Sequence, residues 1–129
     1  MQKYLLLIDD VEDEHLIFSS VVESMKAGYT VLNADNPDYG IELVLTFRPS
    51  IIFLDINMPV NGFDCLKRIK ALPGIESIPV FLYSTKLTER DMHKANEAGA
   101  AGLLEKKSDI SDLRDSLRYI FERLDRKRK

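Results

Sequence analysis

The sequence has no tryptophan, a single cysteine and no long apolar run. With only Cys65, an intrachain disulfide cannot form, which suits a reducing compartment. No apolar segment approaches the ~20 residues that a membrane-spanning helix needs. The balance of 18 basic against 21 acidic residues gives a net charge of −3, which attracts neither nucleic acid nor an anionic membrane. We therefore expect a cytoplasmic protein with no membrane partner and no nucleic-acid partner.

The chain also lacks internal repeats and any Pro- or Gly-rich linker, with only five prolines and six glycines in 129 residues. A length of 129 residues fits one domain. The content of 45% hydrophobic and 30% charged residues is ordinary for a globular protein. We predict a single domain over residues 1–129, ending in a basic tail at 125–129.

Five short apolar runs recur along the chain and are rich in leucine, aromatic or β-branched residues. Apolar runs without alternation are typical of parallel strands that are covered on both faces. Alternation of such strands with helices predicts an α/β fold, a doubly wound parallel sheet with right-handed crossovers. The predicted strands are residues 4–8, 29–34, 51–54, 80–83 and 102–104.

Apolar residues at helical spacing separate these runs and predict amphipathic helices. Asn36-Pro37 and Thr88 to Asp91 are typical helix starts. The segment at about 88–98 has few apolar residues, so we expect it to contact the sheet lightly. The predicted buried stripes are Ile17, Val21 and Met25 with Phe18 and Val22 beside them; Ile41, Val44 and Leu45; Phe63, Leu66 and Ile69; Met92, Ala95 and Ala98; and Leu113, Leu117, Ile120, Phe121 and Leu124.

Polar residues follow four of the predicted strands. In an open α/β sheet the site lies outside the carboxyl ends of the strands, so these side chains should share one edge. An acid at a helix start often only complements the helix dipole, which could explain Asp10 or Glu12. It does not explain acids on two strands together with a hydroxyl and a lysine. The residues are Asp9-Asp10, Asp55, Ser84-Thr85 and Lys106-Lys107.

The charges at this edge predict a metal site. Three carboxylates and one lysine leave an excess of negative charge, which either protonates or binds a cation. Oxygen ligands without histidine or cysteine favour a hard ion, Mg²⁺ or Mn²⁺. Magnesium commonly shares its coordination sphere with phosphate. A carboxylate beside such an ion, with a lysine and a hydroxyl to hold phosphoryl oxygens, is suited to phosphoryl transfer.

Four stretches together resemble the receiver domain of bacterial two-component response regulators, and in particular a stand-alone regulator of the chemotaxis type. They are Asp9-Asp10 and the sequences DINMP, PVFLYST and AGAAGLLEK. The resemblance covers nearly the whole chain. It implies a flavodoxin-like five-stranded parallel sheet in the order 2-1-3-4-5, flanked by five helices. It also implies a phosphoacceptor signalling domain rather than an enzyme, one that catalyses only its own phosphorylation and dephosphorylation.

By this resemblance, Asp55 is the phosphoacceptor and takes its phosphoryl group from a sensor histidine kinase or a phosphotransfer protein. Ser84 is expected to hydrogen-bond the phosphoryl group, and Lys106 to pair with its charge. Each is chosen over its neighbour, Thr85 or Lys107, by counting from the family's pattern. The metal ligands that the resemblance implies are Asp9, Asp10, Asp55 and the backbone carbonyl of Asn57.

Three departures from the family bear on the switch. Leu103 stands where the family usually has an aromatic residue, so the aromatic rotation that reports phosphorylation is altered here. Lys107 replaces the usual proline, and a non-proline cis peptide costs about 2.5–4 kcal/mol. The loop from Pro59 to Gly62 is one residue shorter, and Gly62 is expected to provide a tight turn before the third helix. None of the three removes a phosphotransfer residue.

Two side chains occupy positions that tune hydrolysis in the family. They are Asn57, two residues after the acceptor, and Lys86, two residues after Ser84. We hypothesise that both set the lifetime of the phosphoryl group in this chain.

The partners are predicted only by class. The family often uses the face of the fourth helix, fifth strand and fifth helix to bind an output protein or to form a homodimer. No output domain lies within these 129 residues. Either the signal leaves through a binding surface, or the chain is an excised fragment of a longer protein.

Three other functions remain alternatives. A phosphatase of the haloacid-dehalogenase type uses an aspartyl nucleophile, but it requires an acid two residues later, where this chain has Asn57. A flavin- or nucleotide-binding domain needs a glycine-rich loop after the first strand, where Asp9-Asp10 stand instead. A receiver-like scaffold without phosphorylation is opposed by the intact set Asp10, Asp55, Ser84 and Lys106 but remains open because of Leu103.

Overall fold

A computed structural model describes residues 3–59, 62–106 and 109–128, and strands and helices alternate along it five times. The strands β3 and β4 each end one residue later than predicted, so Asp55 and Ser84 are themselves the last strand residues. The strands are β1 (Lys3–Ile8), β2 (Tyr29–Ala34), β3 (Ile51–Asp55), β4 (Val80–Ser84) and β5 (Gly102–Glu105). The helices are α1 (Glu12–Met25), α2 (Pro37–Phe47), α3 (Gly62–Lys70), α4 (Glu89–Glu97) and α5 (Ile110–Arg128).

The five strands form one parallel sheet in the order β2-β1-β3-β4-β5, which confirms the predicted doubly wound α/β fold. The strand order reverses between β1 and β3, where residues 5–8 pair with residues 51–54. In such sheets the crevice outside the carboxyl ends of these two strands is the usual binding site.

The sheet is covered on both faces, so neighbouring strand residues enter two different cores. On one face Leu5 and Leu7 pack against α1 and α5, and on the other Leu6 and Ile8 pack against α2, α3 and α4. This explains why β1 and β3 are apolar without alternation. Because both faces of the central strands are packed, the residues at their carboxyl ends are held in fixed positions.

The predicted helix stripes are right for most residues and wrong for three. Ile17, Leu45 and Met92 are 49%, 51% and 44% exposed. Ile17 and Leu45 each lie beside a correctly predicted buried residue, Phe18 and Val44 respectively, and only a limited arc of each helix meets the sheet. Periodicity does not determine which of two adjacent apolar residues faces inward. Among the residues of α4, which the structure describes completely, Ala95 alone is buried, so this helix does contact the sheet lightly.

The predicted helix starts of α2 and α4 are confirmed. The Asn36 side chain accepts a hydrogen bond from the Tyr39 N–H at 2.9 Å, with Pro37 at the first helical position. The Thr88 hydroxyl accepts from the Asp91 N–H at 3.1 Å, and the Asp91 carboxylate accepts from the Thr88 N–H at 3.4 Å. At the other end of the chain, α5 continues through positions 125–128 of the predicted basic tail.

Among the helices that the structure describes, none combines the length and the apolar content that crossing a membrane requires.

Gly62 is the first residue of α3, not part of a turn before it as predicted. A Cβ at this position would lie 2.6 Å from the Ile56 Cα and 3.0 Å from the Asp55 carbonyl oxygen. The start of α3 therefore packs directly on the backbone that follows the predicted acceptor. Glycine is needed for this close approach.

We expect Gly62→Ala to lower the free energy of unfolding by about 1–3 kcal/mol, because the added methyl group meets main-chain atoms that cannot rotate away. Urea denaturation followed by circular dichroism measures the change. Asp64→Ala, at an exposed position in the same helical turn, is the control and should change stability by no more than about 0.5 kcal/mol. Equal stability of the Gly62→Ala protein and the wild type would contradict this account of the contact.

Candidate functional site

The carboxyl edge of the sheet brings together polar residues from four strands. Asp9 follows β1, Asp55 ends β3, Ser84 ends β4 and Lys106 follows β5. Asp9, Asp55 and Ser84 are the polar or charged residues buried in the part of the chain that the structure describes. Parallel register places them at one edge, since the Asp55 position pairs with Tyr83 and the Ser84 position with Glu105. Burial of two acids side by side needs a compensating cation.

The Lys106 ammonium is that cation. Its Nζ lies 3.1 Å from Asp55 Oδ2, 3.4 Å from Asp9 Oδ2 and 2.6 Å from Glu14 Oε2. It also lies over the ring of Tyr83, 5.1 Å from the centroid. Burial alone would lower the pKa of Lys106, but the hydrogen bond with Glu14 and the charges of Asp55 and Asp9 outweigh it and raise that pKa. The lysine is therefore charged and holds three carboxylates together.

Asp9 is the most poorly compensated of the three acids. Its Oδ1 accepts a hydrogen bond from the Val11 N–H at 2.9 Å, while its buried Oδ2 has no hydrogen-bond partner. Burial first, and then the Glu14 carboxylate, to which a protonated Asp9 would donate a hydrogen bond, raises the pKa of Asp9 to about 8, although Val11 and Lys106 oppose the rise. A buried carboxylate oxygen without a hydrogen bond, next to other carboxylates, is a position that a cation would satisfy.

Glu14 is a site residue that the sequence analysis missed. It lies in the first turn of α1, where an acid usually only complements the helix dipole. Burial would raise the pKa of Glu14, but its hydrogen bonds with Asp9 and Lys106 lower it. The signal that could have found it is helical geometry. The turn that follows Asp9 brings the third residue of α1 back beside the end of β1.

The donor set fits a hard divalent cation. Oxygens of Asp9, Glu14 and Asp55 lie within 4.8 Å of one another, with no nitrogen or sulfur donor among them. Asp10 is exposed and is not one of these three. Its role as a ligand, and that of the Asn57 carbonyl, therefore stay predictions.

The Asn57 side chain connects the loops after β3 and β4. Its Oδ1 accepts hydrogen bonds from the Ser84 hydroxyl at 3.0 Å and from the Thr85 N–H at 3.2 Å. The Ser84 hydroxyl also lies 2.9 Å from the Lys86 carbonyl. The Asn57 N–H donates to Asp55 Oδ1 at 2.7 Å. Asn57 thus orients both the predicted acceptor and the predicted hydroxyl group, a role that its sequence position alone does not reveal.

The residues of the predicted switch are only partly described. Leu103 is half-buried in β5 and packs against the core on the α4 side. The aromatic residue Tyr83 borders the site instead. It is buried and contacts both the Lys106 ammonium and the ring of Phe18, at a centroid distance of 5.6 Å from that ring. The Lys106–Lys107 peptide, whose geometry the sequence left open, lies outside the described residues.

Comparison with known proteins is consistent with this geometry. The profile of the family described as response regulator receiver domain matches residues 5–118. Sporulation initiation phosphotransferase F of Bacillus subtilis is 30% identical over 120 residues, which cover 92% of this chain and 93% of that protein.

Solved structures show the same fold. Chemotaxis protein CheY4 of Vibrio cholerae superposes with a TM-score of 0.82 at 23% identity, covering 92% of this chain and 98% of that one. The Mn²⁺-bound form of response regulator Rcp1 superposes with a TM-score of 0.79 at 23% identity, covering 92% and 91%.

The raised pKa of Asp9 predicts a pH-dependent cost of burying this acid in metal-free protein. Because the folded-state pKa of about 8 exceeds the ordinary value of 3.8, the stability contributed by Asp9 falls as pH rises through this interval. Asp9→Asn should therefore exceed the wild type in free energy of unfolding by about 1–3 kcal/mol at pH 8, and by less at pH 5. Urea denaturation in the presence of a chelator measures both values.

Asp13→Asn, on the exposed surface of α1, is the control and should show no difference that grows with pH. If the gap between Asp9→Asn and the wild type stayed constant from pH 5 to pH 8, the burial of an ionising Asp9 would not be the cause.

Proposed function

The chain belongs to the response regulator receiver domain family of two-component signalling, and from this membership we propose that Asp55 accepts a phosphoryl group from a phosphohistidine. The donor would be a sensor histidine kinase or a phosphotransfer protein. Receiver domains are signalling domains and not enzymes with a separate substrate. The chemistry we propose is therefore limited to phosphorylation and dephosphorylation of the chain itself.

The observation that carries this proposal is the position of the Asp55 carboxylate. It is buried at the end of β3, held by the Asn57 N–H through Oδ1, with Oδ2 3.1 Å from the Lys106 ammonium. In the transfer, a carboxylate oxygen of Asp55 forms a bond to phosphorus while the bond from phosphorus to the histidine nitrogen breaks. Lys106 would then pair with the phosphoryl oxygens, and Ser84 would donate a hydrogen bond to them.

A divalent cation is part of the proposal. Receiver domains bind divalent metal, and one structural relative is a Mn²⁺-bound form. We assign the ligands Asp9, Asp10, Asp55 and the Asn57 carbonyl, with Mg²⁺ as the ion and Mn²⁺ as a substitute. When bound, the ion would supply charge neutralisation for the phosphoryl oxygens.

Local geometry argues against the hydrolase alternative. The position that would need an acid is Asn57, and its side-chain oxygen is already engaged by Ser84 and Thr85. An amide in this arrangement cannot act as a general acid or base.

The signal would leave through the face formed by α4, β5 and α5. A cavity of about 710 Å³ lies along β5 and α5 and is lined by Phe81, Leu103 and Ile120. Tyr119 borders it, is exposed, and accepts a hydrogen bond from Arg123 at 3.1 Å. An apolar floor with a basic rim suits an output protein that presents an apolar side chain beside acids. A homodimer through the same face is the second candidate.

Incubation of the protein with Mg²⁺ and acetyl phosphate, followed by intact mass measurement, tests the proposed acceptor. We expect the wild type to gain one phosphoryl group through an acid-stable, base-labile bond. Asp55→Ala should gain none, and Asp64→Ala, which removes an exposed acid, should gain the group as the wild type does. Absence of the adduct from the wild type, under conditions that label a control receiver, would contradict the proposal.

We propose further that Asn57 and Lys86 tune the lifetime of the aspartyl phosphate. The Ser84 hydroxyl has one proton to donate, and Asn57 Oδ1 and the Lys86 carbonyl already compete for it. A phosphoryl oxygen would be a third acceptor for this proton. Loss of the Asn57 oxygen would leave the hydroxyl freer to bind the phosphoryl group.

Asn57→Ala should accordingly lengthen the half-life of the aspartyl phosphate by about 2- to 10-fold, the range expected for one hydrogen bond. Mass spectrometry at timed intervals after removal of acetyl phosphate gives the half-life. Asn96→Ala, on the exposed surface of α4, is the control. An unchanged half-life in Asn57→Ala would contradict this hydrogen-bond account. Lys86→Ala removes the Lys86 side chain but keeps its carbonyl, and an unchanged half-life in both variants would remove the whole hypothesis.

A further inference from the structure

Neither the family resemblance nor the sequence motifs predict the contact between Lys106 and Glu14. At 2.6 Å from Nζ to Oε2 it is shorter than the distances from the same ammonium to Asp55, 3.1 Å, and to Asp9, 3.4 Å. The two residues are 92 positions apart in sequence, so the fold alone brings them together. Both side chains are largely shielded from water, which strengthens the interaction.

Glu14 is the partner of the ammonium that the proposed phosphoryl transfer does not use. Asp9 and Asp55 are predicted cation ligands, and Asp55 is also the proposed acceptor. Glu14 lies on α1, where it offers the ammonium a partner apart from these two acids. The ammonium can therefore remain paired when a cation takes its place beside Asp9 and Asp55.

Phosphorylation changes what the ammonium must do. A phosphoryl group on Asp55 adds negative charge next to the acceptor and needs the positive charge of Lys106. Glu14 then competes with the phosphoryl oxygens for the same ammonium. Its carboxylate also adds one negative charge close to the incoming phosphoryl group.

We propose that Glu14 is a positioning residue for Lys106. Its contact with the ammonium, the shortest of the three, keeps the ammonium paired when a cation replaces it beside Asp9 and Asp55, and holds it back from the phosphoryl group. This inference rests on the proposed function of Asp55. Glu14 thereby favours cation binding and disfavours the phosphorylated state. The two effects have opposite signs, and a residue that only stabilises the start of α1 would produce neither.

Removal of the Glu14 charge separates the two effects. In Glu14→Gln the affinity of the unphosphorylated protein for Mg²⁺, measured by isothermal titration calorimetry, should fall about 10-fold. At saturating Mg²⁺ and at steady state with acetyl phosphate, the ratio of labelled to unlabelled protein should rise by about 2- to 10-fold. Glu12→Gln, the same change at an exposed position in the same helical turn, is the matched control and should leave both quantities near the wild-type values.

A second background tests whether Glu14 acts through the lysine. In Lys106→Met, the loss of Mg²⁺ affinity caused by Glu14→Gln should be smaller, because no ammonium remains to compete for Asp9 and Asp55. An equal loss in both backgrounds would mean that Glu14 acts on the cation directly and would overturn the proposal. Glutamine retains a side-chain oxygen of similar shape, and circular dichroism of each variant verifies that it is folded.

The experiment distinguishes failure of the proposed role of Glu14 from failure of the proposed function of Asp55. A wild type that takes no label removes the proposed function and, with it, this role of Glu14. A wild type that takes the label, together with a Glu14→Gln protein that behaves as Glu12→Gln does, removes the role of Glu14 alone.

Discussion

The ammonium of Lys106 compensates the buried negative charge at the carboxyl edge of the sheet. It follows β5 and contacts carboxylates that follow β1, end β3 and lie in the first turn of α1. Without it, two fully buried acids would stand side by side, at a free-energy cost that a domain of marginal stability does not easily absorb. The positive charge that offsets the burial of these acids also limits the chemistry at this edge of the sheet. Anything that binds Asp55, whether a cation or a phosphoryl group, has to compete with the lysine or engage it.

The fold could be predicted from the sequence because its determining pattern is local and repeated. Apolar runs without alternation specify strands buried on both faces, and five of them alternate with amphipathic segments. The predictions are wrong where apolar periodicity does not determine which residue faces the sheet. Ile17 and Leu45 were placed in buried stripes, yet a neighbour of each faces the sheet instead. Gly62 was expected to turn the chain, whereas it permits a close approach between α3 and the backbone after β3.

The sequence predicts the part of the candidate site that is formed by residues at the carboxyl ends of the strands. Asp9, Asp55, Ser84 and Lys106 meet because parallel strands share one carboxyl edge, and no side-chain detail is needed for that conclusion. Glu14 was not predictable in the same way, because an acid in a first helical turn has an ordinary electrostatic explanation. The hydrogen bonds of Asn57 likewise depend on how two loops lie against each other, which residue spacing does not specify.

The connection between the site and the outer face passes through β4 and β5. Ser84 ends β4, and the preceding residue, Tyr83, faces Lys106 on one side and the core aromatic Phe18 on the other. Leu103 lies one strand further out and lines the cavity beside α5. A displacement of Lys106 therefore changes the environment of a buried aromatic ring, although no ring stands at position 103. Because α4 buries only Ala95 among its residues, it is the element on this face that can respond at the lowest cost in packing. A signal that leaves the site would therefore have to act through the packing of Tyr83 in the α1/α5 core or through the lightly packed α4 on the other face, since Leu103 has no ring to rotate.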